Sequence, residues 1–308
     1  MRTAKRRAER LGPAKVRRLG ELYRATAADL AFARGRFPAD PVTRRLEELV
    51  GRSRHLVYSA PGGRRGSVVR FFTRDYWRLI AERWVAILVA VVLLFGPAAL
   101  AAAWGMHDPP AAIGVVPESF RPVVDEERPW QNMAPDEQAA FSSQVLTNNI
   151  RVTALAFAGG MTLGLLTALV LIYNGVLLGA IAGLMVEAGN GTGFVDLVTA
   201  HGVLEISCIV VAGAAGLSFG WAIVEPGYRT RTAALRREAV HTIAIILGTA
   251  PWLILAGIVE GFRAELAEAG LAWVIGVGVA LGVLYWSLVL LLGRRREGES
   301  QEGLAQNA

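Results

Sequence analysis

The chain has 308 residues, 53% of them hydrophobic, and a formal net charge of +6. The apolar residues form blocks of about twenty, the length of helix that crosses a bilayer core, and this excludes an ordinary soluble globular protein. The single cysteine, Cys208, excludes a disulfide framework and a cysteine-based metal site. The positive charge is uneven, because residues 1–83 contain 19 Arg and 2 Lys against 8 acidic residues.

Residues 1–60 are predicted to form a basic cytosolic helical domain. Apolar residues three and four positions apart indicate an amphipathic helix over residues 14–34. Asp40 and Pro41 then supply an N-cap and a proline at the first position of a second helix, so the two helices form a hairpin. No recognised nucleic-acid-binding module is visible. The arginines are therefore predicted to hold this region in the cytoplasm and to bind anionic membrane lipids, with no nucleic acid as partner.

Residues 61–83 are predicted to contain a linker, PGGRRG at 61–66, followed by a basic amphipathic helix at the membrane interface. One predicted face of this helix carries Arg70, Arg74 and Arg78, and the other carries Val69, Phe72, Tyr76 and Ile80. Such a helix would lie in the membrane plane and lead into the first transmembrane segment.

Residues 84–293 are predicted to form an all-α bundle of about six transmembrane helices. The predicted spans are 84–104, 152–173, 176–188, 203–224, 239–259 and 271–292. The third is short, about 20 Å as a helix, so neighbouring helices would have to shield it.

Loop charge orients the predicted spans. The N-terminal region, the arginines of 229–237 and the tail at 294–308 are predicted to be cytoplasmic, and the acidic loop at 107–149 is predicted to be extracytoplasmic. Both termini then lie inside, which requires an even number of crossings. The run GNGTG at 189–193 is predicted to form the outer loop between the third and fourth spans.

Glycines recur four residues apart in the predicted spans, a spacing that lets transmembrane helices approach closely. They are Gly160, Gly164, Gly175, Gly179, Gly183, Gly216 and Gly220. Packing between helices of the same chain is the favoured interpretation, and a homo-oligomer interface is the alternative.

Polar residues gather at the predicted outer ends of the spans, where ionisable groups are costly and tend to pair or to mark function. The predicted cluster consists of Asn148, Asn149, Arg151, Glu187, His201, Glu205 and Glu260. Glu205 is the deepest of them, about one helical turn into its span, and His201 is four residues before it, close enough for a hydrogen bond. Arg151 is expected to neutralise one of the glutamates.

Four interpretations of this cluster are open. It is a structural network that joins span ends, a pocket for an extracytoplasmic partner or polar lipid, a metal site, or a hydrolytic site with Glu205 as general base. A single histidine without an HExxH pattern disfavours the metal site, and no nucleophile supports hydrolysis. We therefore predict no catalytic residue, no cofactor and no metal.

Several of these residues lie in segments that together resemble the stage II sporulation protein M family. The segments are TNNIRVTALAFAGGMTLGLLTALVLIYNGVLLGAIAG (147–183), HGVLEIS (201–207), AGAAGLSFG (212–220) and IVEGF (258–262). The family pattern falls on Asn148, Asn149, Asn174, Gly175, Gly179, His201, Gly202, Glu205 and Glu260. The N-terminal LYRATAADLAFAR (22–34) is similar to longer members from bacteria that do not sporulate.

The resemblance implies a multi-pass plasma-membrane protein. In spore formers the family member is a scaffold that recruits cell-wall-degrading enzymes to the septal membrane and is not itself regarded as the hydrolase. The function predicted for this chain is a non-enzymatic membrane scaffold that recruits an envelope protein. The alternatives are a transporter or lipid-handling protein with an outward site around His201 and Glu205, and a metal-dependent intramembrane hydrolase.

Overall fold

The computed structural model describes residues 13–38, 40–57, 68–124, 134–199, 202–228, 230–261 and 270–293. All regular secondary structure in these ranges is helical. The chain divides into two compact units, one ending at Val69 and the other beginning at Arg70.

Between residues 13 and 57, the first unit has two described helices that pack against each other. They are α1 (Pro13–Arg36) and α2 (Pro41–Val57). The predicted cap is present, because the Asp40 carboxylate accepts a hydrogen bond of 2.7 Å from the backbone N–H of Val42. Leu30 is buried between the helices. The exposed ion pair between Arg34 and Glu47, 2.7 Å long, adds at most about 1 kcal/mol because water screens it.

The described residues of the second unit form nine α-helices, numbered onward in chain order. A π-helical turn at Phe71–Asp75 precedes α3 (Tyr76–Ala81), and the others are α4 (Trp84–His107), α5 (Pro109–Ala112), α6 (Pro135–Ala158), α7 (Leu165–Glu187), α8 (Gly191–Thr199), α9 (Gly202–Val224), α10 (Arg231–Gly261) and α11 (Leu271–Gly293). In the described part of the chain, five helices are long and apolar enough to cross a membrane: α4, α7, α9, α10 and α11. The fold is therefore an all-α membrane bundle, as predicted.

The predicted second and third spans, 152–173 and 176–188, are wrong in their boundaries. The chain reverses earlier, at Leu163 and Gly164, whose φ angles of 60° and 83° end the preceding helix. Residues 174–175 do not form a turn, because they lie inside α7. The Asn174 side chain donates to the Val170 carbonyl within this helix (2.7 Å). The real turn lies inside an uninterrupted apolar run, so hydropathy alone does not reveal it.

The predicted extracytoplasmic loop at 107–149 is shorter than expected, because α6 begins at Pro135. Proline occupies the first helical position, and the Glu137 carboxylate accepts a hydrogen bond from the backbone N–H of Ala134 (3.2 Å). Before α6 the chain forms α5 and two short 3₁₀ helices, Ile113–Val115 and Glu118–Val124. Asn148 and Asn149 therefore lie well inside a helix.

The segment predicted as an interfacial helix packs into the bundle. Tyr76 and Ile80 are buried, whereas Val69 and Phe72, predicted on the same face, are exposed. The π-helical turn at Phe71–Asp75 explains this difference in exposure. Its i→i+5 hydrogen bond, from Tyr76 N–H to Phe71 O, shifts the helical register. The Tyr76 hydroxyl lies 2.7 Å from that of Tyr285 on α11, and burial raises the pKa of Tyr76 well above its usual range, so it stays protonated.

Glycines on α7 let its backbone touch that of α4. A Cβ atom on Gly175 would lie 2.1 Å from the carbonyl oxygen of Leu94, and one on Gly179 would lie 2.0 Å from that of Ala98. Gly183 meets Ala102 in the same way, at 2.3 Å. These glycines therefore pack helices of the same chain.

Candidate functional site

A cavity of about 110 Å³ lies among α4, α6, α7, α8 and α9. Its polar lining includes the amide side chains of Asn148, Asn149 and Asn174, and we call it the asparagine cavity. Its apolar lining includes Leu94, Phe120, Phe141, Leu177, Phe194 and Ile209. An amide both donates and accepts hydrogen bonds, so this lining suits a mostly apolar group with one polar end.

Glu205 supports the wall of the asparagine cavity. It is fully buried on α9, and its carboxylate accepts a hydrogen bond from the side-chain amide of Asn149 on α6. Gly160 and Gly216 follow Asn149 and Glu205, respectively, by eleven residues, and they are also in contact. A Cβ atom on Gly160 would lie 2.5 Å from the Gly216 carbonyl oxygen. The equal spacing, about 16 Å of helix, shows that α6 and the following turn run parallel to α9 in a fixed register.

The other predicted cluster residues are placed differently. Arg151 and Glu187 are exposed, and no ion pair between described residues involves Arg151, so its predicted pairing with a described glutamate is wrong. Arg151 instead lines a neighbouring cavity of about 430 Å³. Glu260 is buried near the end of α10, and it is not part of the asparagine cavity lining. His201 lies outside the described residues.

The sequence interpretation missed the helix that covers one side of the asparagine cavity. GNGTG was expected to be a loop, but only Gly189 (φ 74°) and Asn190 form the turn, and α8 begins at Gly191. The Asn190 N–H closes the end of α7 by donating to the Met185 carbonyl (2.7 Å). Phe194, Leu197 and Val198 of α8 then line the cavity. The signal was the apolar FVDLV that follows the glycines.

A second site, at the opposite end of α9, was also missed. This charged cavity has a volume of about 770 Å³ and is lined in part by Glu82, Arg83, Trp221, Glu225, Arg237, Glu238 and His241. In its wall, Arg83 donates to the Glu238 carboxylate, with 3.0 Å between Nε and Oε1. The two side chains are only 9% and 17% exposed, so this ion pair is poorly screened. Its partners are 155 residues apart in the sequence, and no local pattern connects them.

Apolar residues separate the two cavities. On α9, Ile209 lines the asparagine cavity and Leu217 lines the charged cavity, and the residues between them are VVAGAAG. On α4, the corresponding residues are Leu94 and Val89, with AVVL in the sequence positions between them. On these two helices, therefore, no polar side chain lies between the cavity linings.

Two further observations concern the metal-site and hydrolytic interpretations of the cluster. Within the described ranges, no three His, Cys, Asp or Glu side chains lie close enough to hold a metal ion. The Ser207 hydroxyl donates to the Val203 carbonyl (2.7 Å) and accepts a hydrogen bond from the Trp286 indole (3.0 Å). Ser207 thus connects α9 to α11.

Two family models match the chain. The model described as stage II sporulation protein M matches residues 86–265, more than half of the chain, and a domain of unknown function matches residues 2–59. An uncharacterized protein of Methanocaldococcus jannaschii is 32% identical over 98 residues. That alignment covers 32% of this chain and 54% of the archaeal protein, so the chain spans about half the length of the curated relative it matches. No solved structure matches. By the extent of the first match, the chain belongs to the stage II sporulation protein M family of integral membrane proteins.

Proposed function

We propose that this chain is a non-enzymatic scaffold of the plasma membrane that recruits an envelope protein through the asparagine cavity. The observation that carries the proposal is the small volume of this cavity and its apolar lining with three asparagine amides. An engineered cavity of 150 Å³ holds one benzene, so 110 Å³ suits one apolar side chain of a partner. The three asparagine amides would bind polar atoms of the partner's adjoining backbone.

The recruiting site requires the cavity to face outward. In our proposal α6 also crosses the membrane and is the second of six crossings in chain order. Its 24 residues give about 36 Å of helix, and Asn148 and Asn149 face the asparagine cavity. Six crossings leave both termini in the cytoplasm. The exposed arginines of α1 and α2 then lie beside anionic lipid headgroups, which would hold the first unit at the membrane.

A second candidate function, lipid handling, is favoured by one observation. The cavity lined by Arg151 shares Phe120, Asn148, Asn174 and Leu177 with the asparagine cavity, and its volume is about four times larger. A cationic side chain at membrane depth would attract a lipid phosphate. Under this function the asparagine cavity would hold part of a lipid chain.

Photocrosslinking from the cavity wall tests recruitment. A benzophenone amino acid at Phe194, which lines the asparagine cavity, is expected to capture a specific envelope protein in native membranes. The same group at Leu100, a 75% exposed residue of α4, is the control and should capture lipid or nothing specific. Capture of lipid alone at Phe194 would contradict recruitment and support lipid handling.

Substitution of the cavity wall completes this test. Glu205→Ala removes the carboxylate that binds Asn149, and co-purification of the partner should fall about tenfold or more, since a hydrogen bond to a charged group contributes about 1.5–3 kcal/mol. Glu187→Ala, at an exposed position of α7, is the matched control. If Glu205→Ala impairs folding, Asn148→Leu changes the lining at a partly buried position. A folded Asn148→Leu variant that keeps its partner would refute recruitment through this cavity.

Cysteine labelling tests the orientation. Cys208 is fully buried, so the wild-type chain should give little background with a membrane-impermeant maleimide. A cysteine at Glu118 is expected to react in intact cells, and one at Arg231 only after permeabilisation. The reverse pattern would place the asparagine cavity on the cytoplasmic side and would exclude an extracytoplasmic partner.

A further inference from the structure

The charged cavity lies at the level of a membrane surface. Trp84 begins α4 and Trp221 lies near the end of α9, and they are 66% and 61% exposed. Exposed tryptophans of transmembrane helices are typical of the boundary between headgroups and hydrocarbon. Trp221 itself lines the charged cavity, and Val85, the residue after Trp84, does too.

The lining of the charged cavity changes from charged to apolar along the helix axes. Glu82 lines it just before α4, and Val85 and Val89 line it in the first and second turns of that helix. On α9, Glu225 follows the helix end and Leu217 lies two turns inside. A ligand with a charged head and an apolar chain parallel to the helices would match this gradient.

The charges in this lining have both signs. Arg83 and Glu238 pair with each other, and Glu82 lies 3.6 Å from Arg78. Of the remaining described lining residues, Arg237 is cationic and Glu225 is anionic, and neither takes part in an ion pair between described residues. A headgroup with one phosphate and one ammonium group complements this pair of charges, whereas a purely anionic headgroup would approach Glu225 unfavourably.

We infer that the charged cavity binds phosphatidylethanolamine, with the phosphate at Arg237 and the ammonium group at Glu225. The part of an acyl chain nearest the headgroup lies against Val89 and Leu217. The volume of about 770 Å³ lies within the range of small-molecule sites, about 300–1,000 Å³. This site is separate from the asparagine cavity and assigns the opposite end of the bundle a specific lipid.

Lipid binding to the purified, delipidated full chain tests this inference, with native mass spectrometry as the readout. Dioleoyl phosphatidylethanolamine is expected to bind at least about tenfold more tightly than the phosphatidylcholine or phosphatidylglycerol with the same chains, because a charge-assisted hydrogen bond contributes that much. Choline has no N–H to donate to Glu225, and phosphatidylglycerol has no cation. Equal binding of the three lipids would overturn the inference.

Two substitutions test which side chain binds the phosphate and which binds the ammonium group. Arg237→Gln should weaken phosphatidylethanolamine binding about tenfold or more, while Arg236→Gln, the neighbouring arginine that does not line the cavity, should leave it unchanged. Glu225→Gln should abolish the preference over phosphatidylglycerol. Equal effects of the two arginine variants would contradict the site. Soluble phosphoethanolamine binding as tightly as the lipid would contradict the part assigned to the apolar wall.

Discussion

Gly179→Leu is expected to destabilise the bundle more than any other single substitution considered for this chain. A Cβ atom alone would lie 2.0 Å from the carbonyl oxygen of Ala98, and a backbone atom cannot move aside as a flexible side chain can. The variant can keep its helices only if α7 separates from α4 along their whole contact. Overpacking of this kind typically costs about 1–3 kcal/mol, and we expect a loss at or above the upper value because backbone meets backbone.

The measurement is unfolding of the purified chain by SDS titration in detergent, followed by tryptophan fluorescence. Gly276→Leu on α11 is the matched control, because a Cβ there would have no neighbouring atom within 4 Å, and its stability should change by less than about 0.5 kcal/mol. Gly96→Leu, at an equally open position on α4, repeats the control on the partner helix. Wild-type stability for Gly179→Leu would show that α4 and α7 do not pack as described.

Arg83→Met should be the second most damaging change, at about 3 kcal/mol, because it leaves the Glu238 carboxylate poorly solvated and without its arginine. This is the lower end of the range for breaking a buried pair, since Glu238 stays 17% exposed. It also removes the hydrogen bond from Arg83 to the Leu79 carbonyl (2.6 Å). The double variant Arg83→Met with Glu238→Met should regain much of the loss, since no charge is then left behind. The same SDS titration gives both values.

The matched control for this ion pair is Arg78→Met. Arg78 lies 3.6 Å from Glu82, and both side chains are more than 40% exposed, so water already screens the pair and the expected change is at most about 1 kcal/mol. If the double variant is as unstable as Arg83→Met, the loss comes from packing around Arg83 and not from the unpaired charge.

Features encoded within a few residues were predictable from the sequence. The cap at Asp40 and Pro41, the apolar length of α4, and the glycine spacing on α7 all have a local physical cause. Leu163 was not predictable, because its left-handed conformation depends on the close approach of Gly160 to Gly216 and of Gly164 to α9. The π-helical turn before Tyr76 likewise has no signature in the spacing of apolar residues.

Part of the candidate site was also predictable from the sequence. Asn149 and Glu205 were expected near each other, because polar residues in apolar spans seek partners, and the structure joins them. Arg151 and Glu187 fit the same rule and yet are exposed. Which polar residues meet is decided by the rotation of each helix, and that rotation is fixed by contacts such as Gly160 with Gly216. Arg83 and Glu238 meet through the same kind of long-range packing.

The register between α6 and α9 also bears on how the protein enters the membrane. α6 is not among the described helices that are apolar enough to cross alone, and Asn148, Asn149 and Arg151 raise the cost of its insertion. The side-chain amide of Asn149 donates its hydrogen bond to Glu205, which is 56 residues later in the chain. Under the six-crossing arrangement, α6 therefore stays outside the hydrocarbon core, beside the translocon or at the bilayer surface, until α9 has been synthesised. Insertion of α6 is then coupled to the synthesis of α9, so the helices of this bundle do not insert independently.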